Sequence, residues 1–384
     1  MCRIGVVVTV FNQEKFIEHC LNSILQQTYK EIELVVVDDG STDASGAICD
    51  RVARGDSRIT VLHQQNQGPI IARLHGVELV TAEYVTFVDG DDWLDEMLYQ
   101  DMVAKNVLGQ ADIVAYGMIR YRGEQDMYQE PCIFEEGIYS KEEINNKIIP
   151  KLFWDFDKCT YGLDPSLCSK FFRREQLEKH LRNIRTLNIH YGEDIALLYP
   201  LFLECDSIIV IDKCYYYHRI RKNNILPPYY KDEQYYHKLY ILYRHLFDVF
   251  SSSEFREPLL KQLDYFYMYS IRLGKIKYGD LVFEERYMFP FDKVDKNSRL
   301  VIYGAGQVGQ TFYSQLKRLQ YCNVAGWVDR DYKLYRKDGI QGIESIQNME
   351  YDYILVAVYG KEVAVGIRMN LMKMGIDAAK IITL

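Results

Sequence analysis

The chain has 384 residues, too many for one average domain, and its 48% apolar and 26% charged content is that of an ordinary globular protein. A net charge of −8 excludes the basic stripe that nucleic-acid binding calls for, so no nucleic-acid partner is expected. Nine cysteines without a single Cys-x-x-Cys pair argue against a disulfide framework or a zinc site and fit reduced thiols in a cytoplasmic setting. No apolar run approaches the ~20 residues of a membrane span, and no signal-peptide pattern precedes Ile4.

Ile4 to Val10 reads as a buried strand, followed by helical spacing through Phe16, Ile17, Cys20, Leu21, Ile24 and Leu25. A second strand, Ile32 to Val37, stops at Asp38-Asp39-Gly40-Ser41-Thr42-Asp43, and Asp43 is placed to cap a helix over Ala44 to Arg54. Ile59 to Leu62 is a third strand, followed by Gln67-Gly68-Pro69 and a helix carrying Arg73. Strands alternating with helices predict a mostly parallel sheet covered on both faces, so the acids at successive strand ends share one rim.

The fourth strand, Tyr84 to Val88, runs straight into Asp89-Gly90-Asp91-Asp92. Like charges so close repel one another, and a divalent cation resolves the conflict, because Mg²⁺ or Mn²⁺ takes carboxylate and phosphate oxygens. Open α/β sheets also bind ligands at the carboxyl ends of their strands. Asp92 either joins that set or caps a helix starting at Trp93.

Thr9-Val10-Phe11-Asn12, Val37-Asp38-Asp39-Gly40-Ser41-Thr42-Asp43, Gln67-Gly68-Pro69 with Ala72-Arg73, and Phe87-Val88-Asp89-Gly90-Asp91-Asp92-Trp93 together resemble a family 2 glycosyltransferase of the GT-A fold, over about the first 220 residues. The resemblance implies an inverting enzyme that moves a sugar from a nucleotide-diphosphate donor, with UDP the usual donor nucleotide. It implies that Thr9, Asp39, Arg73 and Asp89 hold the nucleotide, Asp39 by accepting from the base N–H, and that Asp91 carries Mn²⁺ or Mg²⁺. Leu74-His75 after Arg73 and Pro69 in the turn depart from the family pattern and weigh on the Arg73 role.

A helix from Trp93 to about Leu108, a strand Ala111 to Gly117 and a polar excursion with a short helix at Lys141 to Ile148 come next. By the same resemblance, Pro165 to Arg173 brings Lys170 near the active site. Gly192-Glu193-Asp194 opens an apolar helix, where an acid is stabilised by free N–H groups and the helix dipole. The resemblance makes Asp194 the base and gives Glu193 the acceptor or the orientation of Asp194. An acceptor hydroxyl needs such a carboxylate to take its proton. After a strand Ser207 to Ile211, His218 in Tyr215 to Arg221 is a further candidate metal ligand, and Arg219 or Arg221 would neutralise a diphosphate.

Pro227-Pro228 opens a helical stretch rich in tyrosine, read as a connector (225–297) between a GT-A domain (1–224) and a C-terminal domain (298–384). Tyr and basic residues there also suit peripheral contact with a membrane or a lipid-linked acceptor. The last domain opens with a strand, Gly304-x-Gly306-x-x-Gly309 and a helix, and Asp329 ends its second strand. That context marks a small Rossmann-like fold whose ligand would be NAD or another nucleotide. The fold class is thus α/β, and the expected function is a metal-dependent glycosyltransferase serving a glycan or lipid-linked acceptor, as in bacterial surface polysaccharide synthesis. The competing readings are an NAD-linked nucleotide-sugar oxidoreductase and a non-catalytic sugar-nucleotide module.

Overall fold

The structure, a computed structural model, describes residues 3–156, 161–187, 189, 192–220, 235–278, 287–335, 339–358 and 360–384. His190, Tyr191, Arg221, Pro227, Pro228, Tyr229 and Tyr230 lie outside them. The chain forms two compact units, Met1–Tyr278 and Gly279–Leu384.

In the first unit the elements run β1 (Ile4–Val10), α1 (Ile17–Leu25), β2 (Ile32–Asp38), α2 (Ser45–Ala53), β3 (Ile59–His63), α3 (Pro69–Leu79) and β4 (Tyr84–Asp89). β5 (Trp93–Leu94), α4 (Leu98–Ala104), β6 (Ile113–Gly123), β7 (Asp126–Glu130), β8 (Gly137–Ser140) and α5 (Lys141–Glu143) follow. The unit closes with β9 (Lys170–Arg173), α6 (Arg174–Ile184), α7 (Glu193–Glu204), β10 (Ser207–Arg219), α8 (Tyr235–Ser251) and α9 (Arg256–Tyr278).

The sheet order is β3-β2-β1-β4-β9-β6-β10-β5, with β7 paired to β6 and β8 to β10. β1, β2, β3 and β4 are parallel, and β9 is antiparallel to both β4 and β6, so the sheet is mixed. Every residue of β1 except Thr9 is buried, the pattern of a strand covered on both faces. α3 lies close on it because Gly76 has no side chain: a Cβ there would come within 2.3 Å of Val7 Cγ1. That close approach fixes the helix that carries Arg73.

The helix predicted from Trp93 starts only at Leu98. Trp93–Leu94 instead pairs antiparallel with Tyr216–Tyr217, and the Trp93 ring stacks on Tyr217 at 4.9 Å. The tyrosine-bearing helices α8 and α9 are part of the first unit. Gln262 in α9 accepts from the backbone N–H of Phe153 and Trp154 and donates to Ile149 O, and Trp154 packs on Tyr265 and Tyr269.

The second unit holds β11 (Arg299–Tyr303), α10 (Gln307–Leu319), β12 (Asn323–Val328), β13 (Ile340–Gln341), β14 (Tyr353–Val356), α11 (Lys361–Lys373) and β15 (Ile381–Thr383). Its sheet is parallel throughout, in the order β13-β12-β11-β14-β15. Among the described residues, no helix is long and apolar enough to cross a membrane.

Candidate active site

The carboxyl ends of β1, β2 and β4 form one rim. Thr9 lies opposite both Val37 and Asp89 in the ladder, and Val10 lies opposite Asp38. Past the ladder, Asp39 N donates to Val10 O and Gly90 N to Thr9 O, so the exit loops stay laced to β1. Thr9, Asp39 and Asp89 are therefore neighbours.

The Asp39 carboxylate is buried and engaged by its own protein. Oδ1 accepts from Gln64 Nε2 at 2.8 Å and from Gln67 N at 2.9 Å, while Oδ2 accepts from Gly68 N at 2.9 Å. It thus fixes the turn before α3, where Gly68 holds a φ of 86°. A carboxylate oxygen has room for two donors, so Oδ2 keeps one direction open for an external N–H. Beside it, Asp38 accepts from Ser41 N and pairs with His63. Asp43 Oδ1 accepts from Ser45 N in the first turn of α2, and Oδ2 accepts from Glu14 N.

At the end of β4 the three acids part company. Asp89 keeps 40% of its side chain exposed. Asp92 is buried, with Oδ2 accepting from Tyr216 OH at 2.7 Å and Oδ1 from Arg219 N at 2.7 Å. Tyr216 OH also accepts from Asp89 N at 3.1 Å, so one phenol ties β10 to both ends of the acidic turn. Both Asp92 carboxylate oxygens thus bind β10, and no helix starts at Trp93 for Asp92 to cap. Burial, and then the charges of Asp91 and Asp89, push its pKa well up.

Arg219 is held over the rings of Trp93 (4.5 Å), Phe16 (4.9 Å) and Tyr121 (5.8 Å), with Nε donating to Asp91 O at 2.9 Å. Its guanidinium is oriented on the rim beside the Asp91 backbone.

Arg73, Asp89 and Asp194 meet although they come from α3, β4 and α7. Arg73 Nη1 donates to Asp194 Oδ1 at 2.6 Å, across 121 residues of sequence, and Nη2 lies 3.5 Å from Asp89 Oδ1. Only 6% of the Arg73 side chain is exposed, against 24% for Asp194. Leu167 N donates to Asp194 Oδ2 at 3.4 Å. Burial pushes the Asp194 pKa up, opposed by Arg73 and reinforced by Asp89. Burial and the Asp194 charge raise Glu193 to about 7, partly offset by Arg73.

Asp194 is placed by α7, whose first turn follows Gly192 in the left-handed region (φ 77°). A Cβ on Gly192 would sit 2.5 Å from Leu242 Cδ2, and His245 contacts Ala196 O at 3.1 Å, so α8 braces the start of α7. Lys170 is buried and donates to Asp164 O (2.7 Å) and Ser166 O (2.6 Å), which shapes the loop that offers Leu167 N to Asp194.

Among the described residues, no three His, Cys, Asp or Glu side chains converge as a complete metal cage. Mg²⁺ and Mn²⁺ need no such cage, since substrate phosphates and water fill most positions. His218 Nδ1 is buried without a hydrogen-bond partner. Burial, and then the Arg120 charge, lower the pKa of that ring, while Asp89 and Asp91 pull the other way. A ring nitrogen without a hydrogen-bond partner is a ligand type that a divalent cation such as Mn²⁺ accepts.

In the second unit, Gly309 allows α10 to press on the loop: a Cβ would meet Gly304 O at 1.9 Å. Gly304 holds a φ of 111°, and no atom lies within 4 Å of a Cβ built on Gly306. Asp329 accepts from Ala305 N at 2.6 Å through Oδ2 and from Asp331 N at 2.7 Å through Oδ1.

Sequence reasoning missed Tyr216, the brace from α8 and the pairing of Arg73 with Asp194. The strand expected to end at Ile211 runs on to Arg219 and carries Tyr215, Tyr216 and Tyr217 within β10.

The sheet order and the rim of acids define an α/β fold of the GT-A class. TarS 1–349 from S. aureus, solved with UDP-GlcNAc, has the same fold at a TM-score of 0.55 and 23% identity, over 73% of this chain and 76% of that one. Residues 5–179 match the family model for glycosyl transferase family 2, and residues 296–382 match the C2185-like, N-terminal model. Glycosyltransferase GlyG of Streptococcus pneumoniae serotype 4 is 32% identical over 58% of this chain and 72% of its own length. GlyA of the same organism is 35% identical over 58% of this chain, which spans 31% of GlyA's length. The chain belongs to glycosyl transferase family 2.

Proposed function

We propose that the chain is an inverting glycosyltransferase that transfers a sugar from a UDP-linked donor to a hydroxyl of a glycan or lipid-linked acceptor. The observation that carries this reading is the buried Arg73, 2.6 Å from Asp194 and 3.5 Å from Asp89, so that the acid at the end of β4 and the acid at the start of α7 meet at one guanidinium.

Thr9, Asp39 and Asp89 line the nucleoside side of the rim, with the open direction of Asp39 Oδ2 toward a base N–H. Asp91 and His218 would hold Mn²⁺ or Mg²⁺, which supplies positive charge to the diphosphate as the sugar leaves. Arg219, oriented by its three rings, adds a second positive charge there. Asp194 takes the proton of the acceptor hydroxyl; the oxygen forms its bond to the anomeric carbon as the bond to the diphosphate breaks on the opposite face, and configuration inverts. Glu193, raised to about 7 by burial and the Asp194 charge, supplies the neighbouring carboxyl group that shares the start of α7 with Asp194. A relative, the minor teichoic acid biosynthesis protein GgaB of Bacillus subtilis, 26% identical over 70% of this chain, supports a role in bacterial surface polysaccharide synthesis.

The test is nucleotide release from a panel of UDP-sugars with Mn²⁺ and a glycan acceptor, alongside NAD(H) consumption. Release of UDP that depends on both donor and acceptor is expected. Reduction of NAD without release would replace this reading with an oxidoreductase.

A further inference from the structure

Arg73 lies between Asp89 and Asp194 and takes no part in the transfer step itself. We propose that Arg73 is a positioning residue for the base: it holds the Asp194 carboxylate ionised and aimed at the acceptor, and does not grip the nucleotide. The proposal rests on the glycosyltransferase reading and deepens it.

Burial is the first argument. A phosphate-binding arginine presents its fork to the ligand, whereas the Arg73 side chain is 6% exposed and its guanidinium carbon lies 5.7 Å from the Phe87 ring centroid. The second is the direction of the fork. Nη1 reaches Asp194 Oδ1 at 2.6 Å, the length of a charge-assisted bond, while Nη2 stays 3.5 Å from Asp89 Oδ1. The Nε atom is buried without any partner, so the fold leaves one donor unsatisfied in order to aim the Nη groups at the acids. The third is rigidity, since Gly76, one turn along α3, seats the helix directly on Val7.

Asp194 then has two fixed contacts, Arg73 on Oδ1 and Leu167 N on Oδ2. A proton acceptor must be ionised before it can act, and burial beside Asp89 and Glu193 works against that. Arg73 and the more distant Lys170 are the charges that oppose protonation of Asp194. Removing Arg73 therefore both loosens the carboxylate and raises its proton affinity.

The full-length chain, R73K, R73A and D194N are compared by UDP titration calorimetry with Mn²⁺ and by the pH profile of UDP release from the donor that the panel identifies. R73A leaves facing acids uncompensated and can fail to fold, so R73K, which keeps the charge but loses the planar fork, carries the test. Expected for R73K are a UDP Kd within about threefold of the parent and a kcat lower by on the order of 10²-fold. The acid limb of its kcat profile should move to higher pH. A Kd weakened about tenfold or more with kcat preserved would make Arg73 a nucleotide ligand and overturn the proposal. D194N reports separately: turnover at the parental rate would remove Asp194 as base, whatever R73K does.

Discussion

At the end of β4 and at the end of β12 the chain does the same thing on paper: a short apolar strand, a glycine nearby, an aspartate at the rim. The two ends fold to different purposes. Asp329 gives one carboxylate oxygen to Ala305 N and the other to Asp331 N, so the acid completes the glycine loop beside it. Asp89 keeps 40% of its side chain open and has Arg73 only at 3.5 Å. Glu193 and Asp194 are both pushed upward by burial beside their neighbours. Stability alone favours satisfying buried acids, so a half-exposed acid beside a buried arginine is a candidate site, whereas Asp329 has a backbone donor on each oxygen. Residue type and spacing cannot tell the two apart.

The sharpest way to break that contrast is at Asp194. D194N preserves the shape and keeps one acceptor oxygen but cannot take a proton. Its turnover is expected to fall by on the order of 10³-fold, measured as UDP release, while UDP affinity stays near the parent's. Equal turnover would put the first unit in the scaffold class with the second. Next in size is Asp92, an acid of the scaffold kind within the site. D92A leaves Tyr216 OH and Arg219 N without their acceptor, and a loss of about 2–4 kcal/mol in urea unfolding is expected. D92N should recover part of it, because an amide oxygen still accepts one of those donors.

How much of this was legible before folding follows from how local each cause is. β1, β2 and β4 declared themselves because a parallel strand covered on both faces must be apolar at nearly every position. Strand-end placement of Asp38, Asp39, Asp89 and Asp91 followed from the topology. Trp93–Leu94 was read as helix because its pairing partner, Tyr216–Tyr217, lies far along the chain. The sorting of Asp92 from Asp91 depended on the same distant strand, since Tyr216 OH selects Asp92. The partnership of Arg73 with Asp194 needed α3, β4 and α7 packed together, a long-range fact with no local pattern. Asp329 satisfied every sequence requirement of a ribose ligand, and only the 2.6 Å bond to Ala305 N shows its carboxylate turned to its own loop.

Glu193 sharpens the comparison through pH. Its pKa is about 7 in the folded chain, above the ordinary carboxylate range that it recovers on unfolding. The folded state therefore binds the extra proton, and stability falls as the pH rises from that range through about 7. E193Q mimics the protonated form. It should match the parent in thermal unfolding at pH 5 and exceed it at pH 8, by on the order of 2 kcal/mol. A parent that gains stability over the same interval would show Glu193 ionised and paired, and the acid pair would lose its division of labour.

The smallest effect is expected where the fingerprint is most conventional. D329A frees two backbone N–H groups, and that of the buried Ala305 has no evident substitute acceptor in the tight turn between Gly304 and Gly306. The expected cost is about 1–2 kcal/mol, read as earlier thermal unfolding of residues 287–384 by hydrogen exchange. UDP release should not change. NAD at millimolar concentration should leave that protection pattern as it was, because both Asp329 oxygens already accept from backbone N–H groups of their own loop. If NAD or UDP instead protected the loop in the parent and failed to do so in D329A, Asp329 would be a ligand that exchanges partners, and the second unit would join the first as a site kept for a nucleotide.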